Sequence, residues 1–230
     1  MKKVLNRNQL KYIAIIAMVI DQIGAFFIPS SMVIYSVCRF IGKITAPLMC
    51  YFLVEGYNYT SSKTKYLVRL GSFAIISQFA FSLAISNKIF IFKFNMIFTL
   101  FVCFLVLLSY EKIRNKLVKW IVILSLILIS DFCDWGIFAP LWVLIFYIFR
   151  NKKSSQAIWY YIITCLAIAV KYIIINNYDM DALLRQSGLF LFIPVGYLYD
   201  GKKGNNNKFN KWFFYIFYPL HLFIIALIRF

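Results

Sequence analysis

Apolar residues do not recur along this chain at the spacing of one helix face; they run almost unbroken through 10–27, 32–55, 66–86, 94–110, 117–132, 136–149, 157–175, 182–199 and 212–230. A helix that is apolar all round is shielded from water on every side, and about 17–25 such residues, rising about 1.5 Å each, cross the hydrocarbon of a bilayer. The pattern predicts an all-α, polytopic transmembrane helical bundle of about nine spans, forming a single domain over 1–230. No polar stretch is long enough to build a separate water-soluble core.

Composition agrees. Hydrophobic residues make up 63% of the chain and charged ones only 14%, against about 25% charged in soluble domains, and mean hydropathy is +0.78. The net charge of +17 could point to nucleic acid, but the basic residues form short clusters between apolar runs, not a stripe along one helix, so no nucleic-acid partner is expected. Lys2, Lys3, Arg7 and Lys11 precede or open the first run. Alternate connections hold Lys63, Lys65 and Arg69; Lys112, Arg114, Lys116 and Lys119; Arg150, Lys152 and Lys153; and Lys202, Lys203, Lys208 and Lys211. The other connections carry few cations, Lys88 and Lys93 among them. Positive charge is retained on the cytoplasmic side, so the N-terminus is expected inside and the protein in a bacterial cytoplasmic (inner) membrane as a multi-pass chain. Asp21 and Gln22 interrupt the first run and no small-residue cleavage site follows, which argues for a span and against a secretory signal. The five cysteines lie singly, without metal or redox spacing, and read as small packing residues.

The chemistry lies in the few polar residues inside these runs. Asp21 stands in IAIIAMVIDQIG and His221, the one histidine, in FYPLHLFIIALI. Each ionisable group at mid-membrane costs about 2.5–3.5 kcal/mol or more on insertion scales, so each needs a compensating partner or a function. Counted from their helix starts, Asp21 and His221 both fall about 15 Å deep, near the expected level of Lys43, with Arg39 one turn away on the same face. Asp21 with Arg39, Lys43 or His221 is a candidate cluster, either a helix clamp or a catalytic centre. A neutral imidazole whose second nitrogen is oriented by a carboxylate can act as a general base. Arg39, Lys43, Gln22, Gln78, Asn95 and Thr99 are of the types that stabilise a developing oxyanion. Neither a G-x-S-x-G elbow nor an H-E-x-x-H or Cys/His ligand set occurs. At DGKKG, two lysines between Gly201 and Gly204 could hold phosphate, or could simply form a basic turn at a helix end. Glu55, Tyr57, Tyr59, Thr60, Lys65 and Arg69 crowd a second cytoplasmic connection.

The blocks LKYIAIIAMVIDQIGAFF, RFIGKITAPLMCYFLVEGYNYT, KYLVRLGSFAIISQFAFSL, NMIFTL, DWGIF, YDGKKG and FFYIFYPLHLFII, taken in order, resemble the TraX family of integral membrane proteins over nearly the whole chain. That resemblance implies a membrane-embedded acyltransferase, and acetyl transfer from acetyl-CoA to a peptide or pilin N-terminus or another small acceptor. It marks Asp21, Arg39, Glu55, Thr60, Arg69, Gln78, Asn95, Thr99, Asp134, Gly136, Asp200, Gly201, Gly204, Tyr218, Pro219 and His221. Where the family usually has Asp-His in its first helix this chain has Asp21-Gln22, and Gly42-Lys43 stands where Gly-Arg is common. With residues and resemblance together, His221, Asp21, Arg39 and Lys43 are the candidate catalytic groups. Arg69, Lys202, Lys203, Gly201 and Gly204 are candidates for the acetyl-CoA phosphates, and Gln22, Glu55, Gln78, Asn95, Thr99 and Tyr218 for a polar substrate pocket. The alternative is a small permease or a structural subunit of a secretion or conjugation assembly. Membrane lipids are expected partners in either case.

Overall fold

The computed structural model describes residues 4–175, 179–202, 204 and 208–230, with the backbone alone at 174–175 and 208–211. Its regular structure among these residues is helical, and the only β pairing among them is two isolated bridges, Leu5 with Tyr199 and Phe94 with Cys133. The helices are α1 (Arg7–Phe27), α2 (Val33–Gly42), α3 (Thr45–Tyr59), α4 (Lys63–Ser86), α5 (Met96–Lys112), α6 (Lys116–Ile129), α7 (Phe138–Ile148), α8 (Lys153–Val170), α9 (Met180–Ser187), α10 (Phe192–Tyr197) and α11 (Lys208–Arg229). Their starts obey local rules. Asn6 and Gln9 form a reciprocal capping box at α1, and Ser62, Asn95, Asn115 and Asp179 accept backbone N–H bonds at α4, α5, α6 and α9. Helix α4 ends on Asn87 in the left-handed region, a conformation asparagine tolerates.

Five stretches among the described residues are long and apolar enough to cross a membrane: Arg7–Phe27, Val33–Tyr59, Lys63–Ser86, Lys153–Ile173 and Trp212–Arg229. The nine apolar runs therefore do not all become long helices. Runs 94–110, 117–132 and 136–149 yield helices of 17, 14 and 11 residues. Run 182–199 breaks into α9, a 3-10 turn (Gly188–Leu191) and α10. The break falls where Arg185, Gln186, Ser187 and Gly188 interrupt the apolar pattern and where Gly188 packs directly on backbone: an added Cβ would lie 2.0 Å from the Phe40 carbonyl oxygen.

The chain divides into two compact units, each built from two separated stretches. The first comprises Met1–Phe52 with Ile148–Asn205. In it α1 packs on α2 at very close range: Cβ atoms added at Gly24 and Gly42 would lie 2.6 Å from Cys38 Cβ and 2.2 Å from Asp21 Cβ. Thr45, at the start of α3, adds a tie to α1 by donating to the Ala14 carbonyl at 3.1 Å. The second unit comprises Leu53–Tyr147 with Asn206–Phe230, and in it α4 packs on both α5 and α11. Val106, Ile123 and Leu144 form a buried cluster between α5, α6 and α7. On α6, Leu117, Ile121, Leu124 and Leu128 make an exposed apolar stripe. Water would penalise that stripe; lipid does not, and the long apolar helices together mark a membrane protein. None of the five cysteines is in a disulfide, and burial pushes the Cys133 thiol up to about 12, so it is a packing residue.

One ionic clamp closes the second unit. Glu111, at the end of α5, accepts from Lys63 at 2.7 Å and from the hydroxyl of Tyr57. The Lys63 ammonium, then the Tyr57 hydroxyl, hold the Glu111 carboxyl below the usual carboxylate range. A carboxylate depressed in this way stabilises the fold above its unfolded value and loses that contribution as pH falls through the lower folded value. Acid unfolding of the wild type is therefore expected to be steeper below about pH 4.3 than that of Glu111→Gln, and identical acid titrations would remove the clamp from the account. Gly42→Ala is expected to cost about 1–3 kcal/mol by forcing α1 from α2, read as a lowered unfolding temperature in detergent. An unchanged temperature would show that the contact has slack.

Candidate functional site

In the second unit a band of buried polar side chains crosses α4, α5 and α11. Asn95, wholly buried, sits at its centre. Its amide donates to the Ala74 carbonyl at 2.7 Å and to Gln78 Oε1 at 2.9 Å, while its Oδ1 accepts from the N–H groups of Ile97 and Phe98 at 2.9 and 3.1 Å. Gln78 in turn donates to the Lys93 carbonyl at 2.9 Å and accepts from the Asn95 N–H at 3.1 Å. One turn into α5, Thr99 donates to the Asn95 carbonyl at 3.4 Å. Tyr218 reaches in from α11, its hydroxyl accepting from the Met96 N–H at 3.2 Å. The adjoining loop is pinned where Phe94 N–H donates to Phe132 O and Asp134 N–H to Phe94 O, with Lys93 3.9 Å from the Asp134 carboxylate. Gly136 there has φ +61, a left-handed conformation that suits glycine.

His221 lies one turn beyond Tyr218 on the inward face of α11, with Leu222, Ile225 and Ala226 buried on the same side and Leu220, Phe223, Ile224, Leu227 and Ile228 exposed on the other. Its ring stacks on Phe217 at 5.1 Å and Nδ1 is 2.9 Å from the Phe217 carbonyl. A carbonyl oxygen only accepts, so Nδ1 carries a proton, and in the neutral ring the lone pair is on Nε2. Nε2 is buried and has no hydrogen-bond partner among the described residues. The expectation that a carboxylate would orient this ring is corrected here: the orienting group is the carbonyl one turn earlier in the same helix, reachable because side chains lean toward the helix N-terminus. Pro219, inside α11, leaves the helix one N–H short just before the histidine.

Asp21 belongs to the first unit. Its Oδ2 pairs with Arg39 Nη1 at 2.7 Å, and Arg39 also approaches the Asp21 carbonyl at 3.4 Å. Both side chains are only about a quarter exposed, 24% and 21%. Lys43 caps the end of α2, its N–H donating to Phe40 O at 3.3 Å, and Gln22 is half-buried beside Asp21. Glu55 is half-buried on α3 in the second unit.

The candidate phosphate residues separate into two settings. Gly201 and Gly204 hold left-handed conformations at φ +81 and +73 in a turn tied to the N-terminal segment: Asp200 N–H donates to Leu5 O, and Arg7 N–H to Lys202 O. The Lys202 N–H is taken by the Asp200 carboxylate at 2.7 Å, which makes this a braced turn whose backbone donor is already used. Lys203 lies outside the described residues. Arg69, on α4, is held between the rings of Tyr66 and Tyr215 at 5.0 and 5.1 Å, and its buried Nε has no partner among the described residues. Two residues here escaped the sequence reading. Tyr215 precedes Tyr218 by one helical turn, a spacing that could have placed both on the inward face. Ser77 is wholly buried next to Gln78, with no hydrogen-bond partner for its hydroxyl among the described residues.

Among the described residues no three His, Cys, Asp or Glu side chains gather as metal ligands. Compared with known proteins, residues 6–229 match the family described as "TraX protein". The chain is similar to "Probable fimbrial assembly protein FimC, serogroup H1" of Dichelobacter nodosus, at 31% identity over 228 residues, covering 95% of this chain and 93% of that protein. No solved structure matches. Asn95→Ala is expected to lower stability by about 2–4 kcal/mol, since it removes the cap of α5 and strands the Gln78 and Ala74 acceptors. Thermal unfolding in detergent measures this, and a loss below about 0.5 kcal/mol would mean that water replaces the side chain.

Proposed function

The chain belongs to the TraX family, and from that premise we propose that it is a membrane-embedded acyltransferase moving an acetyl group from acetyl-CoA to an amine, such as a peptide or pilin N-terminus, or to a hydroxyl. The observation that carries this reading is the bare Nε2 of His221: a buried neutral imidazole whose other nitrogen is engaged, leaving a lone pair for a proton. In the reaction Nε2 accepts the proton of the attacking amine or hydroxyl, the new C–N or C–O bond forms at the thioester carbonyl, and the C–S bond breaks. The proton then leaves with the thiolate. Tyr218 and Thr99 share the unit with His221 and offer hydroxyl groups for orienting an acceptor, held in place by the engaged amides of Gln78 and Asn95. Arg69, with one guanidinium nitrogen still unsatisfied, is the better-supported group for the donor's phosphates, ahead of the Lys202 turn.

On this reading Asp21 and Arg39 hold α1 to α2 and keep charge neutral within the helices, a role that survives Gln22 in place of the usual histidine. The setting is the bacterial inner membrane. The chain crosses it several times, about nine on the hydropathy pattern, with the N-terminus in the cytoplasm by the positive-inside rule.

The name of the Dichelobacter relative favours a second reading, an assembly subunit without chemistry, in which the Phe217 carbonyl and ring simply satisfy His221. One experiment separates the two. Purified protein is given radiolabelled acetyl-CoA and a pilin-type peptide; label is expected to pass to the peptide and to fall about 10²–10⁴-fold in His221→Gln, which keeps hydrogen bonding but cannot take a proton near neutral pH. Equal transfer by both proteins would exclude His221 as the base. No transfer from a wild type that still supports fimbrial assembly would establish the subunit reading.

A further inference from the structure

The first unit contains a pocket that none of the preceding chemistry uses. It is bounded by Tyr51 of α3, Lys153, Gln156 and Ala157 of α8, and Phe192 and Gly196 of α10, and is open on one side. Tyr51 and Phe192 are almost wholly buried, their rings 6.0 Å apart, and they make the wall. Gln156, 7% exposed, is a polar side chain set within this apolar lining. At the mouth the Lys153 ammonium donates to the Tyr51 hydroxyl at 2.8 Å and lies 5.1 Å from the same ring centroid.

Three features together describe the ligand. The lining is apolar and aromatic at depth, which suits hydrocarbon. The chain leading into α8 supplies Arg150, Lys152 and Lys153, and no Asp or Glu lines the pocket among the described residues, so its electrostatics suit an anion. Lys153 is also the first residue of the apolar span Lys153–Ile173, which sets the pocket at the level of lipid headgroups, where basic side chains attract anionic lipid. We propose that this pocket binds the phosphate of an amphiphile, an anionic phospholipid, with Lys153 on the phosphate, Gln156 hydrogen-bonding the headgroup or ester, and the start of an acyl chain against Tyr51 and Phe192. Its elements and the polar band that holds His221 belong to different units, so the site stands whether or not the acyl-transfer reading holds.

The full chain, purified and delipidated in detergent, is titrated with phosphatidylglycerol, phosphatidylcholine and soluble glycerol phosphate, with bound lipid counted by native mass spectrometry. Phosphatidylglycerol is expected to bind at least about fivefold more tightly than phosphatidylcholine, and Lys153→Gln to abolish that preference while Lys153→Arg keeps it. Ala157→Leu leaves every charge in place but fills the pocket, and is expected to weaken binding to the same degree. The control Lys116→Gln, at the start of α6 in the other unit, is expected to bind like wild type. Wild-type affinity in both Lys153→Gln and Ala157→Leu would overturn the site and leave a diffuse basic surface. Lys153-dependent binding of glycerol phosphate as strong as that of the lipid would overturn the amphiphile. Should Lys153→Gln fail to fold, Ala157→Leu alone decides.

Discussion

Every polar group carried into an apolar bundle must find its partner inside the protein, because lipid offers none. In the second unit that requirement converges on Asn95. Its side chain caps α5, ties the start of α5 to α4 through Ala74 and Gln78, and so fixes the loop that Gln78 holds at Lys93. Tyr218 can then serve the next exposed donor, the N–H of Met96, and in doing so sets the register of α11. The position of His221 is a consequence: one turn further along α11, it inherits its inward orientation from Tyr218.

The first unit solves the same problem with charge. Arg39 and Asp21 neutralise each other across α1 and α2, and the absence of a side chain at Gly42 lets the helices come close enough for the pair to form. A half-buried pair of this kind contributes little net stability, since desolvation offsets most of the attraction, yet either charge left alone would be costly. Its value is in fixing which faces of two apolar helices meet, a choice that hydrophobic contact leaves nearly degenerate when lipid is as apolar as the partner helix.

Two classes of polar residue thus emerge in a protein of the TraX family. Asn95 and Gln78 have their capacity engaged by neighbours and act as joints. His221 Nε2, Arg69 Nε and the Ser77 hydroxyl retain capacity while buried, a condition that costs free energy in a purely structural role.

How much of this could be read from the sequence differs by level. The helical class, the apolar spans and the setting of Asp21, Arg39, Gln78, Asn95, Tyr218 and His221 as polar residues within them were legible, because hydrophobic run length and a rare polar residue within it are local properties of the chain. Helix continuity was not. Run 182–199 looks like one span, but packing of Gly188 on Phe40 and its polar neighbours divide it. Partners were the least legible. The depth of a residue follows from counting, whereas its azimuth depends on how helices pack, so only tertiary structure could choose Arg39 as the partner of Asp21 and bring Tyr215 of α11 to Arg69, while the Phe217 carbonyl is a partner His221 finds within its own helix. The sequence by itself determined that these polar groups are buried in apolar helices; the fold decided which of them are satisfied and which remain open, because hydrogen bonding depends on direction and hydrophobicity does not.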